Sequence, residues 1–222
     1  FKKLLNLKNT MIKKNDFVEI EYTGKIKETN QIFDTTSKEI AQKEKIYNPN
    51  IKYGPTIICI GQSQIIPGLD EQLENKELNK EYDIEIPPEK AFGKKNPKLL
   101  RILSSSSFRK QKINPYPGLQ VNIDGFVGTV RTVTSGRIIV DFNHPLAGKN
   151  IIYTIKITKL VTDKKSQIES LISFILKDPK VEIKEDTAQI TAKSLPNEKL
   201  KEEIVRKIEE LTKLKNVTIV KE

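Results

Sequence analysis

The chain has 222 residues, of which 39 are Lys or Arg and 29 are Asp or Glu, so its formal net charge is +10. The single cysteine excludes an internal disulfide and favours a reducing compartment. No apolar run reaches the ~18 residues that a membrane-spanning helix needs. We therefore expect a cytoplasmic protein of one to three small domains. The positive charge is concentrated in residues 94–147, which contain nine Lys and Arg but only two Asp, and in the first 16 residues.

The first part of the chain mixes strand and helix patterns. Residues 17–26, FVEIEYTGKI, alternate apolar and polar side chains as a half-buried strand does, and Gly24 interrupts the alternation where a bulge would. Either Thr35 or Ser37 can cap a short helix through KEIAQKEK. The run TIICIG predicts a buried strand. QIIPGLDEQLENKEL then predicts a turn and a helix with Asp70 in its first turn, and KEYDIEIPP predicts another strand.

Residues 94–147 have a different pattern. LLRIL and LQVNI predict strands on either side of a short Ser-rich helix, and FVGTVRTV and RIIVDFN predict a hairpin closed by TSGR. His144, the only histidine, follows in DFNHPLAGKN, and its simplest interpretation is a polar turn residue. The long alternating run at 150–161, NIIYTIKITKLV, has no local partner. It is therefore expected to pair with the first strands.

After Asp163 the pattern changes again. KKSQIESLISFILKD predicts a helix, KVEIKE and AQITAK predict a hairpin, PNEKLKEEIVRKIEELTKLK predicts a strongly amphipathic helix, and NVTIVKE predicts a last strand. Residues 163–222 are thus expected to form a separable αββαβ module. Such a module could form a homodimer or recruit a partner.

The familiar catalytic and metal-binding patterns are missing from the sequence. Only one histidine is available as a base, and there is no CxxC, no histidine pair and no phosphate loop. We therefore predict no metal site and no cofactor. What remains is a set of aromatic and aliphatic residues around one acid, for which an ordinary hydrophobic core is the alternative interpretation. The set is Tyr22, Phe33, Asp34, Ile65, Ile66, Phe92 and Tyr153.

Five motifs, in order along the chain, resemble the FK506-binding (FKBP) family of peptidyl-prolyl isomerases. The first four are YTG at 22–24, FDTT at 33–36, IPGLDEQL at 66–73 and PPEKAFG at 87–93. The fifth, DFNHPLAGKNIIYTIKI, resembles the SlyD-like branch, in which an inserted chaperone domain, the insert-in-flap domain, replaces the flap. The last 60 or so residues resemble the extra C-terminal domain of longer archaeal FKBPs.

The resemblance implies an α+β fold in which an FKBP-like antiparallel half-barrel sheet wraps on a short helix. It also implies an inserted mainly-β domain and the C-terminal αββαβ domain. The implied divisions are an N-terminal tail (1–11), an isomerase domain (12–93 plus 148–162), an insert-in-flap chaperone domain (94–147) and a C-terminal domain (163–222). His144 would then lie in the junction where the chain returns from the insert to the catalytic sheet.

The function implied by the resemblance is peptidyl-prolyl cis-trans isomerisation (rotamase activity) that assists protein folding, with chaperone activity from the insert. The partners would be unfolded, proline-containing polypeptides. Carried over by position, the proline pocket is Tyr22, Phe33, Asp34, Ile65, Ile66, Leu69, Phe92 and Tyr153. Leu69 stands where the family has an aromatic floor, and Phe92 stands where it often has Tyr. The client-binding candidates of the insert are Leu99, Leu100, Ile102, Leu103, Phe108, Ile113 and Leu119, some of which must form its core.

Two other functions remain open at this point. One is a holdase chaperone with a vestigial pocket, which a proline-peptide assay would distinguish from an isomerase. The other is a ribosome- or RNA-associated module, motivated by the basic insert and tail. It lacks the motifs expected of such binders. No membrane association is predicted.

Overall fold

The computed structural model describes residues 11–176 and 178–222. The predicted tail lies outside this range except for Met11, which forms a single β-bridge with Glu77. The described residues divide into two compact units. Pro87–Asn150 form the second unit, and the residues before and after them form the first.

Both units contain strands and α-helices. The strands are β1 (Phe17–Ile26), β2 (Ile32–Thr35), β3 (Thr56–Cys59), β4 (Glu81–Ile86), β5 (Leu100–Ser104), β6 (Gln120–Ile123), β7 (Phe126–Val133), β8 (Arg137–Asp141), β9 (Ile151–Leu160), β10 (Lys180–Lys184), β11 (Thr187–Ala192) and β12 (Asn216–Lys221). The α-helices are α1 (Lys38–Lys43), α2 (Pro67–Leu73), α3 (Ser105–Lys110), α4 (Lys164–Ile172) and α5 (Glu198–Thr212). The fold is therefore mixed α+β.

Strand β1 is the centre of the main sheet in the first unit. The strand order is β2-β1-β9-β4, β3 also pairs with β1, and every pairing is antiparallel. The prediction that the long run at 150–161 returns to the first strands is thus confirmed. Alternation buries Ile20 of β1 and Ile155 and Ile157 of β9, together with Leu69 and Leu73 of α2. This core fixes the sheet behind the site described below.

The two short helices of this unit begin where local chemistry favours it. Of the two predicted caps for α1, Ser37 is the one used, because its side chain accepts a hydrogen bond from the Ile40 N–H. Helix α2 starts at Pro67, whose fixed φ and missing N–H suit a first helical position. Asp70 lies in the first turn, as predicted.

The second unit is mainly β. Its four strands follow the order β5-β8-β7-β6 with antiparallel pairing, and the predicted TSGR hairpin joins β7 to β8. Helix α3 contributes Phe108 to a small core. The buried members of that core are Phe108, Val121, Val130, Ile138 and Val140.

The C-terminal residues have the predicted element order, with β11 and β12 parallel in the sheet β10-β11-β12. A parallel pair needs a crossover connection, which α5 provides. These residues belong to the first compact unit, whereas the sequence suggested a separable module. The physical reason is a shared core. Phe17, Cys59 and Val161 form a buried cluster against which Leu171 and Leu211 pack.

Candidate active site

The site is built on a row of residues that crosses three neighbouring strands. Gly24 of β1 lies opposite Asp34 of β2 on one side and opposite Tyr153 of β9 on the other. Cross-strand partners project to the same face of a sheet. Gly24 has no side chain, so the Asp34 carboxyl and the Tyr153 ring can meet above it.

Gly24 is required at the centre of this row for steric reasons. A Cβ built on Gly24 would lie 2.8 Å from Cε1 of Tyr153 and 2.9 Å from Cζ of Phe33. The pairing of β1 with β2 shifts register between Gly24 and Lys25, as predicted from the interrupted alternation. This bulge brings the Phe33 ring over the glycine.

Three aromatic rings enclose the row. The Tyr153 ring meets the Tyr22 ring edge to face with centroids 5.5 Å apart, and it meets the Phe33 ring edge to face at 5.8 Å. Each such contact contributes about 0.5–1.5 kcal/mol beyond the buried area. Because Tyr153 is buried, this ring orders the other two.

Asp34 is the polar centre of the aromatic group. Burial raises the pKa of Asp34 above its usual value of 3.8, and hydrogen bonds from the Tyr22 hydroxyl, the Thr35 N–H and the Tyr153 hydroxyl oppose that rise. Burial, together with the negative charge of Asp34, raises the pKa of both tyrosines above 10. Both hydroxyls therefore keep their protons at neutral pH and act as donors to the carboxylate.

The two threonines of the FDTT motif fix the backbone of Tyr22. The Tyr22 N–H donates to Oγ1 of Thr36 at 2.9 Å. The hydroxyls of Thr35 and Thr36 donate to the Tyr22 carbonyl at 3.1 and 3.2 Å. The motif thus holds the tyrosine in place.

The remaining residues of the first unit's site lie on the loop before α2 and in its first turn. Ile65 and Ile66 are half-buried on the loop, and Leu69 is buried. Ile66 is the N-cap of α2, and its carbonyl accepts hydrogen bonds from the N–H groups of Leu69 and Asp70. The Ile66 N–H itself precedes the helix, so α2 does not use it.

Asp70 has a role that the sequence reasoning missed. It is only 6% exposed, and its two carboxylate oxygens accept from the N–H groups of Gly61 at 2.7 Å and Ser63 at 2.9 Å. The sequence suggested an interaction with the helix dipole. The available signal was its position soon after the Gly-Gln-Ser turn, within reach of the turn's backbone amides.

The predicted pocket residues fall into three groups. Tyr22, Phe33, Asp34 and Tyr153 contact one another across the strands, as described above. Ile65, Ile66 and Leu69 form the second group, on the loop and α2. Phe92 belongs to the second compact unit, where its ring stacks on His144 with centroids 4.8 Å apart and planes 3° from parallel. Nδ1 of His144 accepts from the Leu146 N–H at 3.2 Å.

The chain segments that enter and leave the second unit run side by side. Gly148 N–H donates to the Gly93 carbonyl at 2.8 Å. The Asn143 side chain accepts from the Asn96 N–H at 2.8 Å and donates to the Asn96 carbonyl at 3.1 Å. His144 therefore lies beside the hydrogen bonds that join the two segments, and the family resemblance implies this part of the chain as the junction.

Some apolar candidates of the insert are surface residues and others are not. Leu99, Leu100 and Ile102 are exposed, Ile102 to 65%. Leu103, Ile113 and Leu119 are partly buried against the small core. Phe108 was expected among the client-binding residues, and this is corrected. Its side chain is 4% exposed because the ring fills the centre of that core.

Other exposed apolar residues of the second unit were missed. They are Tyr116, Phe126, Val127 and Val133. Phe126 is 65% exposed because it leaves a tight turn, in which Asp124 and Gly125 both have positive φ. An Asp-Gly pair between apolar runs is a strong hairpin signal, and it could have identified this tip.

A polar cleft of about 530 Å³ is also present in the first unit. Its lining includes Glu21, Thr154 and Lys156. Neighbouring residues on a strand project to opposite faces, so Thr154 faces away from Tyr153. Charged walls suit a prolyl ring poorly, and the aromatic face is the better candidate.

Among residues 11–176 and 178–222, no group of three or more His, Cys, Asp or Glu side chains is arranged to hold a metal ion. None of the helices in these residues has the length and apolar character that crossing a bilayer requires.

Comparison with known proteins gives consistent matches. A family model described as FKBP-type peptidyl-prolyl cis-trans isomerase matches residues 8–109, and one described as FKBP26, IF domain, matches residues 101–146. The short-type peptidyl-prolyl cis-trans isomerase of Methanocaldococcus jannaschii is 31% identical over 147 residues, which are 66% of this chain and 92% of that protein.

Two bacterial relatives agree with these matches. The FKBP-type 16 kDa peptidyl-prolyl cis-trans isomerase of Escherichia coli strain K12 is 28% identical over 111 residues, 48% of this chain and 74% of the relative. The FKBP-type peptidyl-prolyl cis-trans isomerase SlyD of Treponema pallidum is 32% identical over 105 residues, which are 44% of this chain and 57% of that protein.

The mixed α+β fold, with its mostly antiparallel sheets, is consistent with these matches. With the matches above, the chain belongs to the FKBP-type peptidyl-prolyl cis-trans isomerase family. It is a SlyD-like peptidyl-prolyl isomerase, and its residues 101–146 match the IF-domain model.

Proposed function

We propose that X–Pro bonds of unfolded polypeptides isomerise in a pocket of the first unit formed by Tyr22, Phe33, Asp34, Ile65, Ile66, Leu69 and Tyr153, and that the inserted domain holds these polypeptides nearby. Phe92 of the second unit is retained as a site residue that the family resemblance implies. The observation that carries the proposal is the row Asp34–Gly24–Tyr153. It gathers three rings and one carboxylate above a glycine.

The reaction needs no covalent step. An X–Pro bond crosses a barrier of ~18–20 kcal/mol because the planar amide must lose resonance. Uncatalysed, this takes tens to hundreds of seconds. The twisted amide has less charge separation than the planar one, so transfer from water into an apolar pocket costs it less. A pocket that binds the twisted form better than the planar form therefore lowers the barrier.

Each part of the pocket has a role in this scheme. The rings of Tyr22, Phe33 and Tyr153 surround the prolyl ring, and Leu69 forms the floor. Asp34 holds both tyrosine hydroxyls, so the ring orientations are set before the substrate arrives. Preorganised positions of this kind avoid rearrangement during the reaction. The Ile66 N–H donates to a substrate carbonyl.

The second unit supplies the client-binding surface in this proposal. Its exposed apolar side chains, Ile102 and Phe126 above all, are of the kind that marks interaction sites. The positive charge of residues 94–147 favours acidic or mixed clients. A client held there meets the pocket at a raised effective concentration. We retain the half-barrel isomerase domain, the domain limits, the cytoplasmic location and a homodimer through residues 163–222 as predictions.

A short Xaa-Pro peptide tests the pocket. Asp34→Ala and Phe92→Ala should each lower kcat/KM about three- to tenfold, because the site loses its polar centre or one of its rings. The matched control is Asp83→Ala, an exposed acid of β4 that accepts from the Thr154 hydroxyl. Circular dichroism must accompany the assay, since truncating a buried aromatic can cost ~3–5 kcal/mol. An unchanged kcat/KM in both folded variants would show that these residues do not form the site.

A holdase chaperone with little isomerase activity is the second candidate, favoured by the exposed apolar residues of the second unit. The same peptide assay on the unaltered protein decides between the two. A holdase suppresses aggregation but leaves the isomerisation rate of the peptide at its uncatalysed value. The third candidate, a basic module that binds RNA, predicts affinity for RNA that falls steeply in a salt titration.

A further inference from the structure

The Gln64 side chain connects the loop of the candidate site to the C-terminal residues. Its Oε1 accepts a hydrogen bond from the Cys59 N–H at the end of β3, at 2.6 Å. Its Nε2 donates to the Ser170 carbonyl in α4, at 2.7 Å. Gln64 directly precedes Ile65 and Ile66. One amide group thus joins the catalytic sheet, the loop and the C-terminal module.

The partner in α4 has a physical reason to accept this bond. The last four carbonyls of a helix have no intrahelical donor, and α4 ends at Ile172. Ser170 is therefore among the residues whose carbonyls need an external partner. Gln64 supplies one donor, and the Ser173 hydroxyl supplies another at 3.3 Å. A half-buried polar contact of this kind is costly to break on one side only.

Packing holds the two ends of the link at a fixed separation. Cys59, whose N–H Gln64 binds, is buried with Phe17 and Val161. Leu171, the residue after Ser170, packs on the same cluster. Cys59 and the α4 segment that contains Ser170 are therefore both anchored on this shared core, and Gln64 bridges them.

Successive residues of the loop before α2 are therefore held by separate hydrogen bonds. Asp70 binds the N–H groups of Gly61 and Ser63, and Gln64 holds the next residue through its side chain. We propose that the C-terminal module positions the Ile65–Ile66 segment through Gln64, which makes Gln64 a positioning residue for the isomerase. This inference rests on the proline pocket proposed above. The position of Ile66 matters because a misplacement of ~1 Å in a binding group can cost up to ~10²-fold in rate.

The first experiment replaces the amide with a side chain of similar length and shape. Gln64→Met in the full chain removes both hydrogen bonds. Gln62→Met is the matched control, because Gln62 lies in the same loop but its Nε2 donates to Asn15 of the catalytic part at 2.8 Å. We expect Gln64→Met to lower kcat/KM on a short Xaa-Pro peptide about three- to tenfold, mainly through a higher KM. Gln62→Met should stay within about twofold of the unaltered protein.

A second variant tests the same contact between Gln64 and α4 by a substitution in α4. Leu171→Ala weakens the packing of α4 on the cluster of Phe17, Cys59 and Val161 and leaves the Gln64 side chain itself unaltered. It should raise KM in the same direction, and the double variant Gln64→Met/Leu171→Ala should lose less than the product of the two single losses, since both act on one connection. A folded Gln64→Met variant with unaltered kcat and KM would overturn the inference, as would fully independent effects in the double variant.

Amide resonances separate this inference from the proposed function. Gln64→Met should shift the backbone amide signal of Ile66 as well as that of Ile65, which any substitution of the preceding residue shifts, and Gln62→Met should leave both in place. This readout does not depend on activity. If the unaltered protein fails to isomerise the peptide, the proposed pocket is wrong, while an unshifted Ile66 signal in Gln64→Met would show that Gln64 does not position the loop.

Discussion

The candidate pocket of the first unit and the exposed surface of the second unit are built in opposite ways. In the pocket, the Asp34 carboxylate accepts hydrogen bonds from the hydroxyls of Tyr22 and Tyr153. The rings pack so closely above Gly24 that no Cβ would fit there. On the second unit, Ile102 and Phe126 project into solvent and are each 65% exposed. A fixed geometry suits one chemical step on one type of bond. Exposed apolar groups suit clients of many sequences.

The strongest test of this contrast removes the second unit. Replacing residues 95–146 with a short Gly-containing loop should retain most activity on a tetrapeptide. The reason is that the two ends to be joined are already close, since the Gly148 N–H donates to the Gly93 carbonyl. Activity on a protein whose refolding is limited by proline isomerisation should fall by about 10²-fold, since the tethered client is lost. Peptide and refolding assays on the same preparation measure the two effects. Equal losses would show that the insert shapes the catalytic site.

A matched pair of glycine substitutions sharpens the contrast. Gly24→Ala places a Cβ against the Tyr153 and Phe33 rings and should lower peptide kcat/KM by about tenfold or more. Gly128→Ala places a Cβ 2.6 Å from Cγ1 of Val140 in the second unit. It should reduce activity on refolding proteins and spare the peptide reaction. The contrast fails if both variants affect the peptide equally.

Single exposed residues should have smaller effects. Ile102→Ser and Phe126→Ser should each weaken suppression of aggregation of a denatured client about three- to fivefold, because each removes on the order of 1 kcal/mol of apolar contact. Peptide kcat/KM should not change. Phe174→Ser is the control, since Phe174 is an exposed aromatic outside the second unit. A similar loss in this control would indicate general surface hydrophobicity in place of a defined surface.

The smallest expected effect is a pH dependence of stability at Asp34. Its pKa is raised in the folded state, mainly by burial. The stability it contributes is therefore fully present below the unfolded pKa, near 3.8, and is lost as the pH rises through the folded pKa. Asp34→Asn should remove this decline. Chemical unfolding of both proteins from acid to neutral pH measures their free energies of unfolding. The value for the unaltered protein minus the value for Asp34→Asn should decrease as the pH rises. A difference that grows with pH would contradict the raised pKa.

Local patterns predicted most elements because their causes are local. Alternation identified β1 and β9, one of the two predicted caps of α1 is the one used, and TSGR identified the β7–β8 turn. The helix pattern at KKSQIESLISFILKD continued past Ile172, where α4 ends. The Ser170 carbonyl near this end binds Gln64, a contact between residues 106 positions apart. Periodicity carries no signal for such a contact.

By itself, the sequence determined the types of most elements, because these depend on side-chain periodicity and local turn chemistry, and it contained the family motifs from which the candidate site residues were predicted. Only the tertiary structure decided which apolar residues of the second unit are core and which are surface, as Phe108 and Phe126 demonstrate. It also decided that Gly24 provides space for two rings and that Asp70 and Gln64 hold the loop. The reason is physical: burial and hydrogen-bond partners depend on which distant strands and helices become neighbours.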